Sequence, residues 1–437
     1  RFLLDGAVDV DETSFVDPIH RLPAGHWLRY DLRRDQLEVK RWYALPRPEE
    51  DGGSVEGFRS LLEDAVRIRL RSDVDVGTCL SGGIDSSSIV AVIAALRRAA
   101  GEPAPRSFSI VYPQSGLDES PYVDAVVAAT GVQAHRASPT AQEFARDLPR
   151  LVDAQDEPFP SPAVYSQWRV MALAREAGVP VLLDGQGADE VLAGYHYHYG
   201  PYLAEIAAGQ GIRAAVEAAR QAAAATGRPL RFFLGLLAYH AGRWPRPLRR
   251  AAVVRAATQG RVPASLLGES AEVGERHAPR DSLRAQLRID IETTSLPALL
   301  RYEDRNSMAF SIEARTPFLD YRLVERAQAL PARALIAHGW TKAALREAVT
   351  GLVPEVVRLR RDKLGFATPE RAWLGALAPC IREWLGPSAR IRPLLRTPAL
   401  ERWLRGSDES LAARPGLWRL VSSELWLRSL GEPVHVG

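Results

Sequence analysis

The chain has 437 residues, room for two or three domains, and its 46% hydrophobic and 25% charged content is that of an ordinary globular protein. It holds no apolar run of membrane-spanning length, Arg1-Phe2-Leu3-Leu4-Asp5 lacks the pattern of a signal peptide, and a net charge of +3 is too weak to argue for nucleic acid. Cys79 and Cys380 are the only cysteines, so no disulfide framework is expected and a reducing, cytoplasmic setting is the natural home.

Residues 1–48 read as the close of a domain, with no initiator Met. Residues 26–31 and 37–43 make two strand-like runs joined by a polar turn, a hairpin pattern. A charged, Pro- and Gly-containing linker at 46–53 marks the first boundary. From residue 54 helices and strands alternate. Helices are expected over 55–68, 88–96, 120–130, 141–153 and 167–177, and strands over 74–80, 106–112, 132–137 and 179–183. That alternation predicts a doubly wound parallel α/β sheet over 54–200 that binds its ligand at the strands' carboxyl ends. From 203 to 437 a mainly helical region is expected. Within 205–261, Arg213, Arg220, Arg228, Arg231, Arg243, Arg246, Arg249, Arg250, Arg255 and Arg261 face only Glu205 and Glu217. This is either a solvated helical face or a patch receiving an acidic or large substrate.

The first chemistry-bearing stretch is Leu80-Ser81-Gly82-Gly83-Ile84-Asp85-Ser86-Ser87, between the strand ending at 80 and the next helix. A Gly/Ser loop feeding a helix start aims N–H groups at an anion, and the hydroxyls of Ser81, Ser86 and Ser87 add donors. It is neither a Walker A loop nor a GxGxxG turn. Asp85 beside a phosphate site is repulsive unless a cation intervenes, which implies Mg²⁺. A plain turn with Asp at a helix start is the bland alternative. In this setting the stretch resembles the pyrophosphate loop of the ATP pyrophosphatase superfamily, whose members cleave ATP to AMP and pyrophosphate.

Residues 181–190 repeat the logic: a buried strand ends in Asp184-Gly185-Gln186-Gly187-Ala188-Asp189-Glu190. If the two strands are neighbours, Asp85 and Asp189 reach one metal and Gly185 lets backbone lie against a nucleotide. A calcium-type loop or a turn stays open for this stretch alone. A third stretch, Tyr302-Glu303-Asp304-Arg305 followed by Glu313-Ala314-Arg315-Thr316-Pro317-Phe318-Leu319-Asp320, reads either as surface charge pairs or as partly buried groups of tuned ionisation. The fourth is Arg360-Arg361-Asp362-Lys363-Leu364-Gly365-Phe366, a basic loop that is either solvated or set against an α-phosphate. Lysine occurs only at 40, 342 and 363 in this Arg-dominated chain, so each is a place to seek a role for a compact ammonium.

Together and in this order, the four stretches resemble the synthetase domain of glutamine-dependent asparagine synthetases, and residues 1–48 resemble the last strands of that family's amino-terminal-nucleophile glutaminase domain. The resemblance implies that Ser81, Gly82, Gly83, Asp85, Ser86 and Ser87 hold pyrophosphate and Mg²⁺, and that Leu80, Ile110 and Gly185, with Asp184, form the ATP site. It implies Asp189 as the second metal carboxylate and Lys363 as the cation at the α-phosphate, with Glu313 and Arg315 shaping the substrate side. Two departures stand out. Neither cysteine lies at an amino terminus, so nitrogen comes from ammonia or an amine, or from a glutaminase portion upstream or on another chain. The family's catalytic Glu is Gln186 here, and an amide takes no proton from an attacking ammonia, which nominates Glu303 as base.

Aspartate is the expected acid, giving asparagine. Beta-lactam synthetases and lasso-peptide cyclases share the adenylating domain and close rings with an internal amine, which opens peptide or metabolite acids as substrates. A protein that keeps the nucleotide pocket without turnover is the reading from another class. No membrane or nucleic-acid partner is expected, and a homodimer stays open.

Overall fold

The computed structural model describes residues 2–9, 11–46, 55–113, 115–242, 266–267, 282–361 and 368–431. Most of the linker at 46–53 lies outside them. The expected hairpin is present: β1 (His26–Asp31) pairs antiparallel with β2 (Gln36–Arg41) as a two-stranded sheet of its own.

The central sheet has five parallel strands: β3 (Val76–Cys79), β4 (Arg106–Ile110), β5 (Gln133–Ala137), β6 (Val181–Leu183) and β7 (Glu313–Arg315), ordered β5-β4-β3-β6-β7. Strands buried on both faces need apolar side chains in both directions, and β6 supplies them. Val181 and Leu183 join one core with Val76 and Leu80, while Leu182 joins the other with Cys79 and Phe108.

Helices cover both faces. The first core is closed by α1 (Val55–Arg69), α2 (Ile84–Ala99) and α3 (Ser120–Thr130), through Phe58, Leu62, Ile89, Val90, Val123 and Val126. The other face carries α4 (Ala141–Gln155) and α5 (Ala163–Glu176). α4 opens on a capping box in which Glu143 N donates to Thr140 Oγ1 (3.2 Å) and Thr140 N to Glu143 Oε2 (2.8 Å). Beyond the sheet, α6 (Tyr199–Gln210), α7 (Ile212–Thr226) and α8 (Leu230–His240) pack on one another, and α9 (Leu296–Met308) returns to α5. A short α10 (Ala343–Ala348) packs on α1, and α11 (Leu417–Ser429) on α4.

Two expectations need correction. Strands do not stop at Tyr202, because β7 adds a fifth parallel strand from the region read as helical. It is three residues, Glu-Ala-Arg, with no apolar alternation to signal it, held by Glu313 N donating to Pro180 O (2.8 Å) and Asp184 N to Arg315 O (3.0 Å). Helix α2 also starts at Ile84 rather than 88, which draws Asp85, Ser86 and Ser87 into its first turns. Of the Arg-rich stretch, Arg213, Arg220, Arg228 and Arg231 are exposed, and Arg243 to Arg261 lie outside the described residues.

Candidate active site

The strand order reverses between β3 and β6: from β3 the chain moves outward through β4 to β5, then returns to the other side for β6. A crevice opens outside the carboxyl ends of strands at such a switch point. Here a cavity of about 330 Å³ lies there, walled by both Gly-containing loops, the start of α6, the end of α7 and residues 340–342.

The loop after β3 is wired internally. Ser81 N donates to Ser86 Oγ (3.1 Å), the two hydroxyls lie 3.0 Å apart, and Gly83 N donates to Ser81 Oγ (3.3 Å). Gly82, at φ +75°, turns the chain where a side chain would strike Tyr122 and Val123. Leu80, Ser81, Gly83, Asp85 and Ser86 line the cavity, with Ile110 from the end of β4. Gly82 stands behind them, and Ser87 is wholly buried.

The loop after β6 lies directly on this one. A Cβ on Gly185 would sit 2.9 Å from both Asp85 Cβ and Ser86 N. From the two loops Asp85 and Asp189 converge, and between them stands Lys342. Its Nζ donates to Asp85 Oδ1 (2.6 Å) and Oδ2 (2.5 Å) and lies 2.7 Å from Asp189 Oδ1. Lys342 is only 2% exposed. Sequence reasoning put the cation at Lys363, which lies outside the described residues, and gave Lys342 no role. The signal that could have found it is lysine's rarity in this chain.

Two carboxylates beside a phosphate-type loop are the oxygen donors that Mg²⁺ uses, leaving its other positions to phosphate and water. Asp85 and Asp189 fit that cation.

On the adjoining wall Asp184 meets Glu303 of α9. Both are buried, and burial raises both carboxyls above the usual range, Glu303 well above it because Asp184's charge and hydrogen bond add to the effect. The hydrogen bond between them raises Glu303 and lowers Asp184, so Glu303 donates and Asp184 accepts. Gln186 Nε2 donates to Glu303 Oε2 (3.4 Å), as does Gln167, and Gln186 N donates to Asp184 Oδ1 (3.0 Å). Asp184, Gly185 and Gln186 line the cavity; Glu303 sits just behind them. Further along, buried Glu190 accepts from Tyr195 and from Ser295 Oγ (2.7 Å), which ties the Tyr195 wall to the start of α9.

Arg360 and Arg361 line the cavity, and Arg360 braces the loop. Its Nη1 donates to Glu119 Oε1 (2.6 Å) and Gly82 O (3.4 Å), and its guanidinium stacks 3.9 Å from the Tyr122 ring centre. Glu313 and Arg315 are not brought to the cavity. Glu313 is exposed, and Arg315 Nη1 donates to the carbonyls of Arg69 (2.6 Å) and Arg71 (2.8 Å), pinning β7 to the end of α1.

Residues 57–428 match the asparagine synthase family. A Mycobacterium tuberculosis protein provisionally named a glutamine-hydrolysing asparagine synthetase is 32% identical over 383 residues, 82% of this chain and 56% of that protein. Glutamine-hydrolysing asparagine synthetase 1 of Bacillus subtilis is 30% identical over 344 residues, 75% of this chain and 52% of its own length. The amidase chyE of Penicillium rubens is 29% identical over 222 residues, 47% of this chain and 33% of that protein. The chain spans about half the length of the two synthetases it matches.

Proposed function

The chain belongs to the asparagine synthase family, and from that premise we propose that it joins a carboxylic acid to ammonia or an amine at the expense of ATP. The observation that carries this reading is the meeting of Asp85 and Asp189, from the loops that follow adjacent parallel strands, at one point beside a Gly/Ser loop that opens a helix. In the proposed reaction a carboxylate oxygen attacks the α-phosphorus, the bond to the bridging oxygen breaks, and pyrophosphate leaves. Ammonia or an amine then displaces AMP from the acyl-adenylate.

In this reading Ser81, Gly83 and the start of α2 hold pyrophosphate, with Gly82 and Ser87 shaping the turn, while Leu80, Ile110 and Gly185 line the adenosine side. Mg²⁺ would be held by Asp85 and Asp189 and would neutralise phosphate charge. Lys363 would stabilise charge on the α-phosphate as pyrophosphate departs. Gln186 cannot serve as a base. Asp184 lines the cavity with Glu303 hydrogen-bonded behind it, and this carboxyl pair would take the amine's proton.

Aspartate is the first acid to try, with asparagine as product. The names of the two synthetase relatives support that choice. Gln186, lying against Glu303, favours a second reading, a cyclase or amidating enzyme acting on a peptide or metabolite acid. Release of pyrophosphate from ATP and Mg²⁺, with and without aspartate and ammonium, tests both. Aspartate-dependent release with asparagine formed supports the first. ATP binding with no release on aspartate removes it and turns the search to larger acids.

A further inference from the structure

We propose that Lys342 is a built-in counter-cation: without nucleotide its ammonium holds the place between Asp85 and Asp189, and a divalent cation enters only when nucleotide draws the ammonium away. Lysine is among the residues least often buried, yet Lys342 is 2% exposed, with both carboxylates within 2.7 Å of its Nζ. Its surroundings are shaped to keep it there. Lys342 sits at φ +54°, a left-handed conformation that side-chain-bearing residues adopt at a cost, immediately before α10. Gly194 passes so close that a Cβ would collide with the Asp189 carboxylate and with Lys342 Cε, so a side chain there would displace both groups.

Two carboxylates turned toward one point repel unless a cation lies between them, and the ammonium meets that need at the cost of one positive charge. A divalent cation on the same oxygens would stand against the ammonium, and like charges that close exclude each other. Occupancy by lysine and by metal therefore alternate. The flexible four-carbon stem lets the ammonium leave without backbone movement, and the negative phosphates of a bound nucleotide supply the pull. That last step rests on the proposed function; the mutual exclusion does not.

The test titrates Mn²⁺ into the full chain without nucleotide, reading free Mn²⁺ by electron paramagnetic resonance, for the parent, Lys342→Met and Lys342→Met/Asp189→Asn. Lys342→Met is expected to bind one Mn²⁺ at least tenfold more tightly than the parent, and the added Asp189→Asn to abolish the gain. A folded Lys342→Met, with an unchanged circular dichroism melt, that binds Mn²⁺ no better than the parent overturns the proposal and makes Lys342 a fixed structural ion pair.

A second measurement leaves Lys342 intact. With only three lysines in the chain, ¹³C-lysine labelling gives three ε-methylene signals, and Lys40→Arg and Lys363→Arg identify the third as Lys342. That signal is expected to stay in place with Mg²⁺ alone and to shift with Mg²⁺ plus a non-hydrolysable ATP analogue. A shift with Mg²⁺ alone overturns the proposal. Failure of the analogue to bind, with the tenfold gain intact, refutes the nucleotide reading and leaves the counter-cation standing.

Discussion

The sharpest perturbation of the site is a single methyl group at Gly185. In Gly185→Ala the new Cβ would lie 2.9 Å from Asp85 Cβ and Ser86 N and 3.0 Å from the Asp85 carbonyl carbon. Non-bonded carbons settle at about 3.5–4.0 Å, so the two loops must part by about 0.6 Å at the least. Two of the three obstructing atoms are backbone in the first turn of α2, where no side-chain rotation relieves them. Overpacking of this kind costs about 1–3 kcal/mol of stability. Asp85 moves with the start of α2 and Asp189 with the other loop, so the substitution spreads the residues that must act together. A misplacement near 1 Å costs on the order of 10²-fold in rate, and a parting of about 0.6 Å predicts a roughly 10- to 100-fold fall in kcat/KM. The assay is pyrophosphate release with the acid that supports it best, beside urea unfolding. Gly235→Ala is the matched control: mid-helix in α8 with nothing within 4 Å of the added Cβ, it should gain about 0.5–1 kcal/mol and turn over as the parent does. A Gly185→Ala protein as stable and as active as the parent would refute the close approach of the loops.

The Asp184–Glu303 pair predicts a pH dependence. Above the ordinary glutamic value of 4.5 the unfolded chain has released the Glu303 proton while the folded protein keeps it. This contribution is therefore fully present at low pH and falls by about 1.4 kcal/mol per pH unit until the folded group itself ionises. Glu303→Gln should remove that slope in urea melts taken from pH 5 to 8, and an unchanged slope assigns it to other groups. Arg360→Ala removes the guanidinium that Glu119 and the Gly82 carbonyl share; a loss of about 3 kcal/mol and an ATP KM raised at least tenfold are expected. Arg360→Lys, lacking the fork and the stacking plane, should recover only part of either. Lys363→Ala should cost about 2.7–4 kcal/mol of transition-state stabilisation, and robust pyrophosphate release by that variant would remove Lys363 from the mechanism.

Much of the fold and part of the site are written in short-range pattern. Apolar runs ending at Leu80 and Leu183 are strands because buried strands need apolar side chains on both faces. The Ser81–Ser87 and Asp184–Glu190 stretches are loops and helix starts because glycines and small polar residues permit those turns. Asp85 and Asp189 could be paired on paper, since each follows the loop at the end of a strand expected in one parallel sheet. What the tertiary structure alone decided is long-range. The polar tripeptide Glu313-Ala314-Arg315 becomes a strand only because β6 offers it an open edge, and that role turns Arg315 toward the end of α1 rather than the cavity. Lys342, 257 positions from Asp85, is drawn between the two carboxylates by an attraction that acts through space. Lysine's scarcity marks where an ammonium is worth seeking, but only the packing of Gly194 and the turn before α10 show which lysine the acids hold.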